Sequence, residues 1–293
     1  YGNAPPRPYI LGFEVSGIVL ECGPGNIRFQ PGDRVVGMTR CGSYAEEVCI
    51  HSQAVKPIPG NLTFQEAAAI PVNYLTAWFC MFEMGRLQAG ERVLIQGGTG
   101  GVGIALVQLA QWKGAEIFAT AGSKEKIEYL NELGVKHAVN YRERDFYEEA
   151  IRIFGKRSFD LVIDSVGGKT LKKGYRLLAP LGRAVSYGLS SAVAGPRRNW
   201  IRALRAVWET PSFKPLDMIQ RNVGVFGFHL GLLESKQEVV AAAFGEIFKL
   251  FEQGILRTVI AREFPLSAQG AAAAHTYLHE RRNIGKVLLV PAN

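Results

Sequence analysis

The residues with most chemistry to offer are three glycines. In RVLIQGGTGGVGIALVQLAQWKGAEI, residues 92–117, Gly98, Gly100 and Gly103 form G-x-G-x-x-G between an apolar β-type run and a long apolar helical run. The spacing by itself is common. Placed after a strand and at the opening of a helix, it is the fingerprint of a dinucleotide site. The glycines allow a tight turn and a close backbone approach to a pyrophosphate, which then meets the free N–H groups of the helix N-terminus.

Which dinucleotide is bound depends on the residue about 20 positions further on, where a carboxylate would hold a ribose 2′-hydroxyl. Here the chain reads Ala119-Thr120-Ala121-Gly122-Ser123-Lys124-Glu125-Lys126, with no acid at the strand tip and a hydroxyl and two lysines after it. Glu125 falls on the following helix rather than in the turn. A 2′-phosphate is welcome in such a place, because repulsion is absent and charge-assisted hydrogen bonds are on offer. The sequence therefore favours NADP(H) as cofactor. Solvated lysines on an exposed helix are the plainer alternative.

These residues need a scaffold, and its pattern is legible. From about residue 91, strand runs at Arg92–Gln96, Glu116–Thr120, Ala138–Asn140, Asp160–Asp164, Arg183–Tyr187 and Val223–Phe228 alternate with helical runs such as Val102–Lys113 and Ser123–Leu133. In the second of these, Ile127, Leu130 and Leu133 recur at helical spacing before Gly134, a C-terminal stop. Six strands with helices between them predict an α/β fold with a doubly wound parallel sheet. Residues 1–72 differ, with short runs (FEVSGIVL, DRVVGM, YAEEVCI, AVKPIP) punctuated by Gly and Pro, and predict a small, partly closed β structure. Residues 229–293 add two helices and a final strand, Lys286–Val290. The expected division is 1–73, 74–228 and 229–293.

Composition excludes several classes. Of 293 residues, 47% are hydrophobic and 20% charged, which is globular rather than disordered, and no apolar stretch reaches the ~20 residues of a membrane span. Cys22, Cys41, Cys49 and Cys80 show neither a CxxC pair nor metal spacing. They predict reduced thiols in a cytoplasmic protein rather than a disulfide scaffold. His51, His137, His229, His275 and His279 are scattered and none sits beside a nucleophile motif. The net charge is +8, half of it in residues 195–221. A local patch without a recognised reading motif argues against nucleic acid as a partner. The chain opens at Tyr1 in a Pro-rich run without Met, so a natural N-terminal part is expected to be missing.

The ordered series GFEVSGIV, PGDRVVG, YAEEV, AAAIPVNYLTAW, GGTGGVG, VNYRERDF, DLVIDSVGG, LGRAVSYG and IGKVLLVP resembles the medium-chain dehydrogenase/reductase superfamily, and within it the zinc-independent quinone oxidoreductases. IPVNYLTAW, GPRRNWIRALRAVW, VFGFHLG and RRNIGKVLLVP are most similar to the vesicle amine transport protein family. The resemblance implies a Rossmann domain flanked by a GroES-like β domain built from both chain ends. It also implies site residues. Thr76 would face the nicotinamide, and Gly100, Gly101 and Val102 would line the pyrophosphate turn. Ser123, Lys126 and Tyr141 would form the 2′-phosphate pocket, with Arg281 reaching the phosphate end. Gly188 would close over the cofactor, and the backbone at Phe226 and Phe228 would hold the carboxamide, with plain core packing of both rings as the alternative. Asn73 and Tyr1 are candidates for the substrate pocket, Asn73 equally for a satisfied turn amide.

Zinc-dependent relatives carry a histidine ligand in a GHE motif; this chain has Phe13 there, and a zinc site needs three such ligands. No metal is expected, and Glu14 reads as a structural carboxylate. Hydride transfer then suits an acceptor that delocalises the arriving charge itself, a quinone or an α,β-unsaturated carbonyl. No residue is assigned to acid–base catalysis. Residues 196–209 place Arg198, Arg202 and Arg205 on one helical face and Ile201, Leu204 and Trp208 on another. That helix either covers the cleft or lies on an anionic membrane, giving a peripheral placement. The second class of function is accordingly an NADPH-binding membrane or lipid interaction protein with little turnover. An apolar sixth strand at an open sheet edge predicts a homodimer.

Overall fold

The computed structural model describes residues 7–192 and 208–292; Tyr1 and most of the basic segment 196–209 lie outside the described residues. Strands β1 (Glu14–Ile18), β2 (Arg34–Met38) and β3 (Val55–Pro57) form an antiparallel sheet in that order, with Glu14 opposite Met38 and Val36 opposite Lys56. YAEEVCI, expected as a strand, does not join it. Gly12 and Gly42, at φ +101° and +102°, turn the chain so that Gly42 and Tyr44 donate only to Ile10 O (2.9 Å) and Leu11 O (2.8 Å), and the stretch continues as bends.

Helix α1 (Phe64–Ala68) starts at a capping box, Thr63 accepting from Glu66 N–H while the Glu66 carboxylate accepts from Thr63 N–H at 2.8 Å. Helix α2 (Pro71–Trp78) passes directly into a π-helical turn, Phe79–Met84. The alternating part follows: β4 (Arg92–Ile95), α3 (Gly101–Lys113), β5 (Glu116–Ala121), α4 (Lys124–Glu132), β6 (His137–Asn140), α5 (Phe146–Phe154), β7 (Phe159–Asp164), α6 (Gly168–Leu177), β8 (Leu178–Ser186), α7 (Pro215–Arg221) and β9 (Gly224–Gly227). Its six strands are all parallel, in the order β6-β5-β4-β7-β8-β9. This is the expected doubly wound sheet. The strands are apolar on both faces because both faces are covered. Val93, Ile95 and Ile163 pack beneath α2 and α3, while Leu94, Phe118 and Val162 pack beneath α5 and α6.

The chain closes with α8 (Gln237–Glu252), β10 (Ile260–Pro265), α9 (Ala268–His279) and β11 (Lys286–Val290). β10 pairs in parallel with β11 and was not expected; its half-exposed IAREFP carries too few apolar residues to signal a strand. Two contacts tie this end to the rest. Lys286 pairs with Glu14, whose other oxygen accepts from Val72 N–H at 2.8 Å, so Glu14 joins β1, α2 and β11. Gly285, at φ +90°, donates to Thr99 O at 2.9 Å, which brings β11 onto the glycine loop.

Candidate functional site

Strand order reverses between β4 and β7, so their C-terminal ends splay apart and leave a crevice, the place where open α/β sheets bind ligands. A cleft of about 660 Å³ opens there, lined by the glycine loop, the tips of β5 and β6, the start of α6 and the end of α9. The glycines of the loop answer to different demands. A Cβ on Gly103 would lie 2.1 Å from Gly97 O, so the close fit of α3 on β4 excludes any side chain. On Gly98 it would press on Ala119 and Leu130 at 3.1–3.2 Å, and on Gly101 it would strike the Asn73 amide at 2.5 Å. Gly100 is different. Its φ is −71° and a Cβ there would meet only Gly97 O, at 3.6 Å. The fold itself leaves room for a side chain at that position.

At the tip of β5 the chain builds a cationic recess. A Cβ on Gly122 would lie 2.5 Å from Tyr141 Oη, so the Tyr141 ring occupies the space above the strand tip where an NAD-type carboxylate would stand. Ser123 caps α4, accepting from Lys126 N–H at 3.4 Å. The Lys126 ammonium donates to Arg281 O at 2.7 Å, and the Arg281 guanidinium donates to Tyr141 Oη at 3.3 Å and Ser190 O at 3.5 Å. Arg281 holds φ +57°, a left-handed backbone costly for a non-glycine residue. Burial, then the charge of Arg142, holds the Lys126 ammonium below its ordinary pKa.

The crevice floor is polar at Gln96 and Thr120, with Asp164 buried behind it. Thr120 donates to Gln96 Oε1 at 2.7 Å and accepts from Gly97 N–H at 3.2 Å, leaving Gln96 Nε2 buried without a partner. Asp164 accepts from Val166 N–H (2.9 Å) and Gly167 N–H (2.5 Å), while its Oδ2 is buried and unpaired. Burial pushes this carboxyl up to about 6, against the lowering effect of those two N–H groups.

Of the residues expected from the sequence, Gly100, Lys126, Tyr141 and Arg281 line this one cleft, and Ser123 adjoins it. Gly98, Gly101 and Val102 shape the loop behind it. Gly188 sits where a Cβ would come within 2.9 Å of Ser165 O, so its lack of a side chain lets the loops after β7 and β8 touch. Thr76 is buried in α2, away from the cleft lining. The Phe228 ring stacks on Phe79 at 5.5 Å as core, and Phe226 is 39% exposed on the edge strand. Asn73 is buried, donates to Ala69 O at 3.1 Å and packs against Gly101. Sequence reading passed over Gly122, Arg142 and the Gln96–Thr120 floor with Asp164 behind it. A glycine at the strand tip and an arginine next to Tyr141 were the signals available.

Sequence profiles agree with this architecture. The alcohol dehydrogenase GroES-like domain matches residues 1–77, and a profile described as zinc-binding dehydrogenase matches 101–245. The human synaptic vesicle membrane protein VAT-1 homolog is 39% identical over 292 residues, 99% of this chain and 73% of that protein. The chain belongs to the VAT-1 branch of the medium-chain dehydrogenases/reductases. Its fold matches the Escherichia coli quinone oxidoreductase complexed with NADPH (TM-score 0.85, 28% identity, 99% of this chain and 85% of that one). It also matches the CurK enoyl reductase (TM-score 0.81, 30% identity, 97% and 80%). Phe13 stands in the GFE motif, and the described residues bring no three His, Cys, Asp or Glu side chains together as a metal centre would.

Proposed function

We propose that this oxidoreductase-family chain uses NADPH, without zinc, to reduce a quinone or an α,β-unsaturated carbonyl. The observation that carries the reading is the recess at the tip of β5, where Tyr141 fills the carboxylate position and Lys126 and Arg281 stand ready for an anion. The solved relatives, a quinone oxidoreductase holding NADPH and an enoyl reductase, support the same chemistry. When bound, the cofactor supplies hydride to a conjugated acceptor. The chain's own residues bind and orient. Gly97, Thr99 and Gly100 bring backbone to the pyrophosphate, and Ser123, Lys126, Tyr141 and Arg281 meet the 2′-phosphate. The nicotinamide end is assigned to Thr76, Gly188 and the backbone at Phe226 and Phe228 from the family resemblance, Thr76 itself being buried in α2 and the Phe228 ring packed on Phe79. The separate antiparallel, six-stranded and two-stranded sheets support a three-part division, though a bound at 73/74 falls inside α2 (Pro71–Trp78).

The test is cofactor titration and turnover with a simple quinone and a simple enone. The parent should bind NADPH more tightly than NADH and oxidise it when an acceptor is added. Lys126→Ala should weaken NADPH about tenfold, since a charge-assisted bond is worth about 1.5–3 kcal/mol, and leave NADH nearly unchanged. Equal losses for both nucleotides, or a parent preferring NADH, would refute the assignment.

A second reading, an NADPH-binding protein that works at a membrane with little turnover, is favoured by the basic segment 196–209 and by the vesicle membrane proteins among its relatives. No helix of the described residues is long and apolar enough to cross a bilayer, so contact would be peripheral. Co-sedimentation with anionic liposomes, without acceptor-dependent NADPH oxidation, would favour it.

A further inference from the structure

Six cations line the cleft: Lys126, Arg142, Arg144, Lys169, Lys173 and Arg281. Three of them stand near a carboxylate, although Arg144 shares Glu149 with Arg152, which binds it at 2.7 Å. Arg144 lies 3.9 Å from Glu149, Lys169 lies 3.3 Å from Glu209, and Lys173 pairs with Asp145. The other three, Lys126, Arg142 and Arg281, have no carboxylate at ion-pair distance among the described residues. They lie together at the β5–β6 end. Unpaired like charges side by side in one concavity repel each other, and that cost is relieved only when an anion arrives.

Asn140 at the end of β6 keeps Arg142 in this state. Its Oδ1 accepts from Arg142 N–H at 3.1 Å, which sets the turn. Its Nδ2 donates to Glu143 Oε1 at 2.7 Å, which ties up the carboxylate next door. Tyr141 N–H is held by Ala121 O at 3.0 Å, so the turn is fixed against the tip of β5. Arg142 and Lys126 line the same cleft, and after burial the Arg142 charge is the first to lower the Lys126 pKa, with Glu125 opposing it.

We infer that Arg142 is a specificity-determining residue, the third cation of a clamp with Lys126 and Arg281 that takes a phosphate monoester dianion, the ribose 2′-phosphate of NADPH. This deepens and rests on the NADPH reading above. A dianion of charge about −1.5 to −2 matches three cations better than two, and a guanidinium can bind two of its oxygens at once. Asn140 acts through Arg142 as a positioning residue.

The experiment is calorimetric titration of the full chain, as parent, Arg142→Ala and Arg142→Glu, with NADPH, NADH, 2′,5′-ADP and 5′-ADP. Arg142 is exposed, so both variants should fold, and a matching thermal midpoint checks it. Arg142→Ala should weaken NADPH and 2′,5′-ADP about tenfold, with NADH and 5′-ADP within twofold. Arg142→Glu should weaken the phosphorylated pair further, and the salt dependence of NADPH binding should flatten in both. A parent that prefers the phosphorylated pair, with variants that keep the preference, would overturn the role of Arg142 and leave the NADPH reading standing. A parent without that preference would overturn both.

Discussion

Asp164 is a carboxylate in an environment that disfavours its charge. It lies fully buried at the end of β7 with one oxygen unpaired, and burial raises its pKa to about 6 from the usual carboxylate value near 4. Because the folded pKa is raised, the native state holds more protons than the unfolded chain between about pH 4 and 6. Stability from this group is therefore present below pH 4 and lost as pH rises to 6. Asp164→Asn keeps an oxygen for Val166 and Gly167 N–H but cannot ionise. Its stability relative to the parent should rise between pH 4 and 7 by up to about 3 kcal/mol, since each tenfold change in proton affinity is worth about 1.4 kcal/mol. Urea unfolding at pH 4, 5, 6 and 7 measures it; a difference that stays flat with pH would mean the carboxylate is not penalised.

At the scale of elements, the glycine loop separates folding from binding. Gly103→Ala drives a methyl against the Gly97 backbone oxygen at 2.1 Å, which cannot swing aside, and should cost about 3 kcal/mol or more by prising α3 from β4. Gly100→Ala meets nothing closer than 3.6 Å and should cost about 1 kcal/mol or less, mostly through a poorer N-cap. The same Gly100→Ala should still weaken NADPH several-fold, because its methyl stands where the pyrophosphate lies. Thermal unfolding and nucleotide titration of both variants check this. If Gly100→Ala bound NADPH as the parent does, the pyrophosphate would lie elsewhere.

For the whole molecule, the sheet ends at β9, whose outer edge has no partner strand among the described residues. Phe226 is half-exposed on it, and an apolar open edge invites pairing with a second copy. We expect a homodimer at micromolar concentration, with the two six-stranded sheets joined through β9. Sedimentation equilibrium of the parent and of Val225→Pro, which removes an edge N–H, is the measurement. A monomeric parent would remove the proposal, and a dimeric Val225→Pro would move the interface away from this edge.

What the sequence determined by itself was everything with a local cause. Periodicity placed the six parallel strands, because strands buried on both faces must be apolar along their length, and Leu94 and Ile95 need opposite covers. The glycine fingerprint between a strand and a helix, and the lack of an acid at the tip of the second strand, were likewise legible as a candidate nucleotide loop and phosphate end, because both depend on residues close together in the chain. The tertiary structure decided what depends on residues far apart in the chain. Lys126 meets Arg281 across 155 positions and Glu14 meets Lys286 across 272. Tyr141 covers Gly122 only because β6 lies beside β5. Whether a cleft cation is spent on a carboxylate or kept for a ligand is likewise a matter of geometry. Arg142 and Arg144 look alike in the sequence, and only the fold brings Arg144 within 3.9 Å of Glu149, shared with Arg152, while Arg142 has no carboxylate at ion-pair distance among the described residues.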